Sequence, residues 1–376
     1  MSIAHGDPIR RVLRTALIMA GGTGGHVMPA LAVAESLRDQ GWRVVWLGTR
    51  EGMEARLVRE HGFEMAWVDF SGVRGKGVVS LFTLPLRILR AFWQALGAIR
   101  RIRPNVVAGL GGYVAFPGGM MASLLGKPLV IHEQNAVAGM TNRVLACLAD
   151  RVLLGLPGAF TQGQDKPIPC GKVKSEWVGN PVRPAIAALP RPSQRFAGRT
   201  GPLRLLVVGG SLGARALNDV VPRALAVMRP DARPIVRHQS GVRNLDELKA
   251  NYAAAQVEAE CLAFIDDMAE AYAWADVVVC RAGASTVAEL AAAGVPAGLV
   301  PFPHAVDDHQ TLNAHMLVDA EAGWLLPQHK LNANELAAWL GSLSRDELRE
   351  RGERARGLAK PEATARMVEV VKEIAK

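Results

Sequence analysis

Between Phe70 and His132 the sequence has no aspartate or glutamate, yet eight basic residues fall there: Arg74, Lys76, Arg87, Arg90, Arg100, Arg101, Arg103 and Lys127. Residues 1–180 hold 21 basic and 12 acidic residues and residues 181–376 hold 23 of each, so the formal charge of +9 arises wholly in the first half. An acid-free basic stretch attracts an anionic surface. Only three tyrosines occur, and lysine is not interleaved with aromatics in that stretch, which argues against nucleic acid as the partner. The four cysteines (Cys147, Cys170, Cys261, Cys280) form no CxxC pair, which disfavours a zinc knuckle and predicts reduced core thiols in a cytosolic protein. There is no Asp-X-Asp triplet, so neither a metal site nor a cofactor is expected. Met1 to Arg14 carries Asp7 and polar interruptions before any apolar run, unlike an export signal. The longest uncharged run, Val106 to Gly126, holds six glycines and Pro117; a lipid-facing helix would leave backbone groups unsatisfied there, so it reads as strand, Gly-rich loop and helix.

With 376 residues, 49% hydrophobic and 21% charged, the chain suits two domains with separate cores. Short apolar runs at Ala16–Ala20, Val44–Leu47, Val106–Leu110 and Leu129–His132 alternate with amphipathic segments, the order of βαβ units. After five prolines between Asn180 and Pro202 the pattern restarts at Leu203–Val208, Ile235–His238, Cys261–Ile265, Val277–Cys280 and Ala297–Pro301. Both halves open alike, an apolar strand running into a Gly-rich loop. The expected architecture is α/β: two Rossmann-like, doubly wound parallel sheets facing a cleft.

Gly21-Gly22-Thr23-Gly24-Gly25-His26 follows a strand and precedes a helical run, so its amides and helix N-terminus suit an anionic group. Val27 stands where a dinucleotide fingerprint needs its last glycine, which disfavours that fold. His26, as a neutral imidazole near the loop, suits a general base, with a helix-terminal hydrogen-bonding role as the alternative. Gly209 to Arg215 repeats the loop, and Ser211 adds a hydroxyl for a phosphate. A third loop, Cys280 to Leu290, places Ser285 and Thr286 at a helix start and Glu289 a turn later, either as a capping-box partner or as a carboxylate for ribose hydroxyls. His304, Asp307, Asp308, His309, Gln310 and Asn313 crowd together and suit the hydroxyls and amide of a sugar. Gly111-Gly112-Tyr113 and His132-Glu133-Gln134-Asn135 end two strands, where ligands of open α/β sheets gather. Val78 to Ile102 interleaves Phe82, Leu86, Ile88, Phe92 and Trp93 with Arg87 and Arg90, a pattern suited to an anionic leaflet, with an ordinary core helix as the alternative.

In order along the chain, GGTGGHVMPALAVAESL, LGTREGMEARLV, SGVRGKG, GGYVAFPGG, HEQNAVAGMTN, VGNPVRP, VVGGSLGARALN and the long run from FIDDMAEAYAWADVVVC to HQTLNA closely resemble the MurG family. The resemblance implies the glycosyltransferase B architecture, with residues 1–178 as acceptor and membrane domain, a C-terminal helix of about 358–376 packing back on it, and 179–357 as donor domain. It implies inverting transfer of GlcNAc from UDP-GlcNAc to undecaprenyl-pyrophosphoryl-MurNAc-pentapeptide (lipid I), giving lipid II for peptidoglycan synthesis, hence for cell shape and division. On the donor side it puts uracil at the backbone of Ile265, ribose on Glu289, phosphates at Ser211 and Ala284, Ser285, Thr286, Val287 and Ala288, and the sugar on Gln310. Arg183 and Asn135 complete the donor site, and Thr23, Gly24 and Gly25 lie where donor and acceptor meet. His26 is the expected base and Glu133 the second choice; Gly111, Gly112, Tyr113, His132 and Asn142 belong to the acceptor site. The partners implied are the two substrates, an anionic membrane surface and other cell-wall synthesis proteins, and the location is peripheral, at the cytoplasmic face of the inner membrane. Another lipid glycosyltransferase, a UDP-GlcNAc 2-epimerase and a non-catalytic membrane adaptor are the rival readings.

Overall fold

The structure is a computed structural model; it describes residues 13–22, 24–70, 83–160, 170, 174–210 and 213–375. Thr23, Phe82 and Ser211 of the expected sites lie outside the described residues, as do Arg74, Lys76, Lys166 and Lys172.

Among the described residues, seven strands form the first sheet: β1 Thr15–Met19, β2 Arg43–Gly48, β3 Glu64–Trp67, β4 Val106–Gly109, β5 Leu129–Glu133, β6 Arg151–Leu154 and β7 Ser175–Trp177. Six form the second: β8 Arg204–Val208, β9 Ile235–Gln239, β10 Glu260–Leu262, β11 Val277–Cys280, β12 Ala297–Leu299 and β13 Gly323–Leu325. The orders are β3-β2-β1-β4-β5-β6-β7 and β10-β9-β8-β11-β12-β13. Adjacent strands run parallel, as at β1–β4 and β8–β11. Both sheets therefore reverse their winding at one point, between β1 and β4 and between β8 and β11, which is where open parallel sheets take ligands. Helices cover both faces of such a sheet, and that is why β1, β4, β5 and β11 are buried along their whole length and legible as unbroken apolar runs.

The chain divides into two compact units, residues 1–131, 144–151 and 368–376 in one and 132–143 and 152–367 in the other. In the first unit the last helix, Ala363–Ile374, reaches Gln40 through Lys372 Nζ, 2.9 Å from Oε1. In the second, Arg366 of the same helix bonds Glu176 at 2.7 Å. The run Val106–Gly126 becomes β4, a glycine loop and the helix Ala115–Leu124. No described helix is long and apolar enough to cross a membrane.

The thiol expectation needs correcting for two of the four cysteines. Cys147 and Cys170 are disulfide-bonded, and only Cys261 and Cys280 are free. Spacing along the sequence does not record that the fold returns residue 170 to residue 147.

Candidate active site

At the first switch point, β1 leads into Gly21 and Gly22 while β4 leads into Gly111-Gly112-Tyr113; Leu110 N–H donates to Met19 O at 2.8 Å, holding the two exits side by side. A Cβ on Gly112 would collide with Gly21 O, so the close approach of these loops requires glycine there. The Tyr113 ring lies against Gly22 and meets Phe70 edge-on at 6.3 Å. The helix Gly24–Asp39 starts at once, placing Gly25 exposed and His26 half-buried in its first turn.

A carboxylate that the sequence reading missed holds this loop from behind. Glu54 is fully buried; Oε2 accepts from Gly22 N–H at 3.2 Å and Oε1 accepts from Thr49 N–H at 3.0 Å and Thr49 Oγ1 at 2.7 Å. Gly22 N–H is therefore occupied. Of the groups expected to suit an anion, this takes up the Gly22 amide, while Gly25 at the start of the helix is exposed. Gly21, Gly48 and Gly52 all stand where a side chain would strike Glu54.

The 132–143 segment differs from its expected roles. Glu133 is buried, and four N–H groups converge on it: Asn135 N at 3.0 Å, Asn135 Nδ2 at 3.2 Å, Gly139 N at 3.1 Å and Asn142 Nδ2 at 2.9 Å. A carboxylate so enclosed shapes the turn and has no open lone pair for an acceptor hydroxyl, which disfavours Glu133 as the base. His132 is 1% exposed with Nε2 3.1 Å from Gly179 O, and the buried Asn142 also donates to His132 O at 3.2 Å. Asn135 accepts from Asn313 Nδ2 at 3.2 Å, and the buried Asn313 also binds Ala136 N–H and Ala282 O.

At the second switch point, β8 leads into Gly209-Gly210 and β11 into the helix Ala284–Ala293. The N-cap is Gly283, with no side-chain cap, so the first amides of this helix are left for a ligand. Ser285 Oγ is buried there with no hydrogen-bond partner, and an orphaned hydroxyl at a helix start needs one. Ala284, Val287 and Ala288 are buried and Thr286 is half-buried.

Glu289 lies a turn beyond any capping-box position, which removes that alternative. Instead Arg183 Nη2 donates to Oε1 at 3.0 Å and the buried Tyr272 hydroxyl donates to Oε2 at 3.2 Å. Burial raises the carboxyl pKa, partly opposed by Arg183, and burial raises the Tyr272 phenol well above its usual range. β10 ends at Leu262, short of the expected Ile265, which is half-buried in the following loop. Arg281, the first residue after β11, donates to Val300 O at 3.1 Å and Pro301 O at 3.2 Å. Gln310 Oε1 accepts from Phe302 N–H at 2.9 Å, and Asp307 and Asp308 both adopt left-handed backbone at φ 55° and 48°.

On the basic stretch, the helix Leu84–Ile102 buries Ala91, Ala95, Ala98, Ile99 and Ile102. Its opposite face leaves Leu86 71%, Leu89 56% and Trp93 72% exposed, so these three are not core residues. Phe92 is half-buried against Phe116 at 5.8 Å, and Arg87 and Ile88 are half-buried. Arg90 is paired with Asp69 at 2.7 Å, an acid just outside the acid-free stretch.

Two parallel sheets that share one strand order, the first with a seventh strand added at its edge, each with a glycine loop at its switch point, are the architecture of a glycosyltransferase of the B class. Residues 16–154 match the glycosyltransferase family 28 N-terminal domain and residues 204–371 its C-terminal domain. The UDP-N-acetylglucosamine--N-acetylmuramyl-(pentapeptide) pyrophosphoryl-undecaprenol N-acetylglucosamine transferase of Thiobacillus denitrificans is 61% identical over 96% of this chain and 99% of its own. The protein of the same name from Dechloromonas aromatica is 58% identical over the same shares. Among solved structures, MurG of Acinetobacter baumannii is 40% identical with a TM-score of 0.83, covering 96% of this chain and 99% of its own. A glycosyltransferase of kitacinnamycin, 17% identical with a TM-score of 0.67, shares the fold alone. The chain belongs to the MurG family.

Proposed function

We infer that this protein is the N-acetylglucosaminyltransferase that moves GlcNAc from UDP-GlcNAc to the MurNAc 4-hydroxyl of undecaprenyl-pyrophosphoryl-MurNAc-pentapeptide, forming lipid II. The observation that carries this is identity of 58–61% over 96% of the chain with transferases of that name. On this reading residues 1–178, with the last helix, take the acceptor and the membrane, and residues 179–357 take the donor.

Glu289, oriented by Arg183 and Tyr272, is placed to accept ribose hydroxyls, and the backbone at Ile265 reads the uracil. The uncapped helix start with Ser285 and Thr286, together with Ser211, holds the diphosphate, which favours departure of UDP because charge builds there as the sugar bond breaks. Asn135 and Gln310 orient the sugar. The acceptor oxygen forms a bond to the anomeric carbon as the bond to the β-phosphate oxygen breaks, with inversion. The hydroxyl proton passes to a base, which we assign to His26 because Glu133 is enclosed by N–H donors. Gly111, Gly112 and Tyr113 border that loop on the acceptor side. No divalent ion is assigned a role: the helix start and loop amides supply the compensating charge.

The face of Leu86, Leu89 and Trp93, with Arg87 and the bases at 100–103 beside it, is assigned to the cytoplasmic surface of the inner membrane. That placement suits an acceptor carried on a lipid, and a soluble 2-epimerase would have no use for it. Supplying labelled UDP-GlcNAc and a short-chain lipid I analogue tests the reading: disaccharide product supports it, while an epimerised sugar nucleotide or no turnover rejects it.

A further inference from the structure

Gln239 is the last residue of β9, the strand between β8 and β10, in register with Val208 on one side and Leu262 on the other. It is 3% exposed. Its amide lies over the ends of both neighbours. Oε1 accepts from Gly209 N–H at 3.1 Å, and Nε2 donates to Gly210 O at 3.0 Å and to Ala263 O at 3.2 Å. Gly209 and Gly210 open the loop after β8, and Ala263 lies two residues before Ile265 in the segment after β10. One side chain thus ties together the two backbone segments to which the diphosphate and the uracil have been assigned.

The requirement is chemically narrow. The site presents one donor and two acceptors, and only a side-chain amide meets all three. A glutamate of the same shape sets a negative oxygen against two carbonyl oxygens, and a methionine leaves the buried Gly209 N–H and the two partly buried carbonyls without this partner. The residues around Gln239 hold the same bracket. Ser240 N–H donates to Leu262 O at 2.9 Å, and the loop closes so tightly on Ser240 O that a Cβ on Gly213 would overlap it.

We propose that Gln239 is a positioning residue for the nucleotide donor, setting the distance between the loop that holds the diphosphate and the backbone that reads the base. The proposal rests on the donor-site reading above and adds to it the residue that makes the two half-sites one. Two of its three bonds go to the loop and one to the base segment, so a ligand that spans both gains most from it.

The test is titration calorimetry of the full chain with UDP, UMP and uridine, using wild type, Gln239→Glu and Gln239→Met. Loss of two or three hydrogen bonds of the Gln239 amide predicts that both variants bind UDP on the order of ten- to a hundredfold more weakly, with a smaller factor for UMP and the smallest for uridine. In Gln239→Glu, lowering the pH protonates the new carboxyl and restores one donor, so the deficit for UDP relative to wild type at the same pH should shrink; Gln239→Met should show no such recovery. A role in packing alone lowers the melting temperature and leaves no pH-dependent recovery. Unchanged UDP affinity in a folded variant, or equal losses for UDP and uridine with no recovery, overturns the proposal. Failure of the wild type to bind UDP would reject the donor-site reading itself. Should Gln239→Glu fail to fold, the uncharged Gln239→Met carries the comparison of the three ligands.

Discussion

Arg183 and Glu289, 106 residues apart in sequence, meet at 3.0 Å, and the Tyr272 hydroxyl holds the second carboxylate oxygen at 3.2 Å. If Glu289 accepts the ribose hydroxyls, its carboxylate is already oriented by these bonds and little ordering remains to be done on binding. Glu289→Ala should weaken UDP and UDP-GlcNAc alike by about 1–3 kcal/mol, the cost of leaving polar partners unmatched. Glu289→Gln, which keeps the volume beside Tyr272, should show a smaller loss. Calorimetry giving wild-type UDP affinity for both variants would remove Glu289 from the donor site.

His26 stands in the first turn of its helix, at the exit of β1. If it takes the acceptor proton, His26→Ala lowers kcat by roughly 10²- to 10⁴-fold and leaves UDP affinity near that of the wild type. A rise in KM alone would make it a binding residue.

The exposed face of the helix Leu84–Ile102 gives a sharper membrane test than the sequence alone, because Phe92 packs on Phe116 whereas Leu89 and Trp93 face outward. Leu89→Ser with Trp93→Ser should release the protein from anionic vesicles without unfolding it and spare turnover of a soluble acceptor analogue. Wild-type binding should itself weaken with salt, since screening acts within about 8 Å at 0.15 M. Co-sedimentation of the folded double variant at wild-type levels would exclude this face.

His238 is buried in the second unit between Tyr252 Oη at 2.9 Å and Asn218 Oδ1 at 3.1 Å, and burial lowers its pKa from 6.5 to about 3. The unfolded chain then binds a proton that the folded one does not, throughout the window from about 3 to 6.5. This contribution to stability is complete above pH 6.5 and is lost as the pH falls, at about 1.4 kcal/mol per pH unit. Urea unfolding between pH 7 and 4 should show a shallower decline for His238→Gln than for wild type; parallel curves would mean that His238 does not titrate as its burial requires.

Much of the fold was legible because buried parallel strands are continuous apolar runs, as at Val106–Gly109 and Val277–Cys280. The strands that escaped notice include β7 and β13, three residues each at sheet edges, too short for a pattern. The glycine loops were legible from composition, but their supports were not. Glu54 and Gln239 come from other parts of the chain, and only folding brings them to Gly22 and Gly209. A polar Arg-His-Gln-Ser run closing β9 and leading out of it was the available signal for Gln239. Glu133 shows the same limit from the other side: an acid beside a strand end suggests catalysis, and the four N–H groups that enclose it come into view only in the fold. The Cys147 and Cys170 bond had no sequence signature at all.

The most direct test of the whole account is product analysis with the purified chain, radiolabelled UDP-GlcNAc and a short-chain lipid I analogue, in buffer containing EDTA. The account predicts a β1,4-linked GlcNAc-MurNAc product on the lipid carrier with release of one UDP per transfer. UDP-GlcNAc consumed without label on the acceptor, or transfer that returns only when magnesium is added, would contradict it.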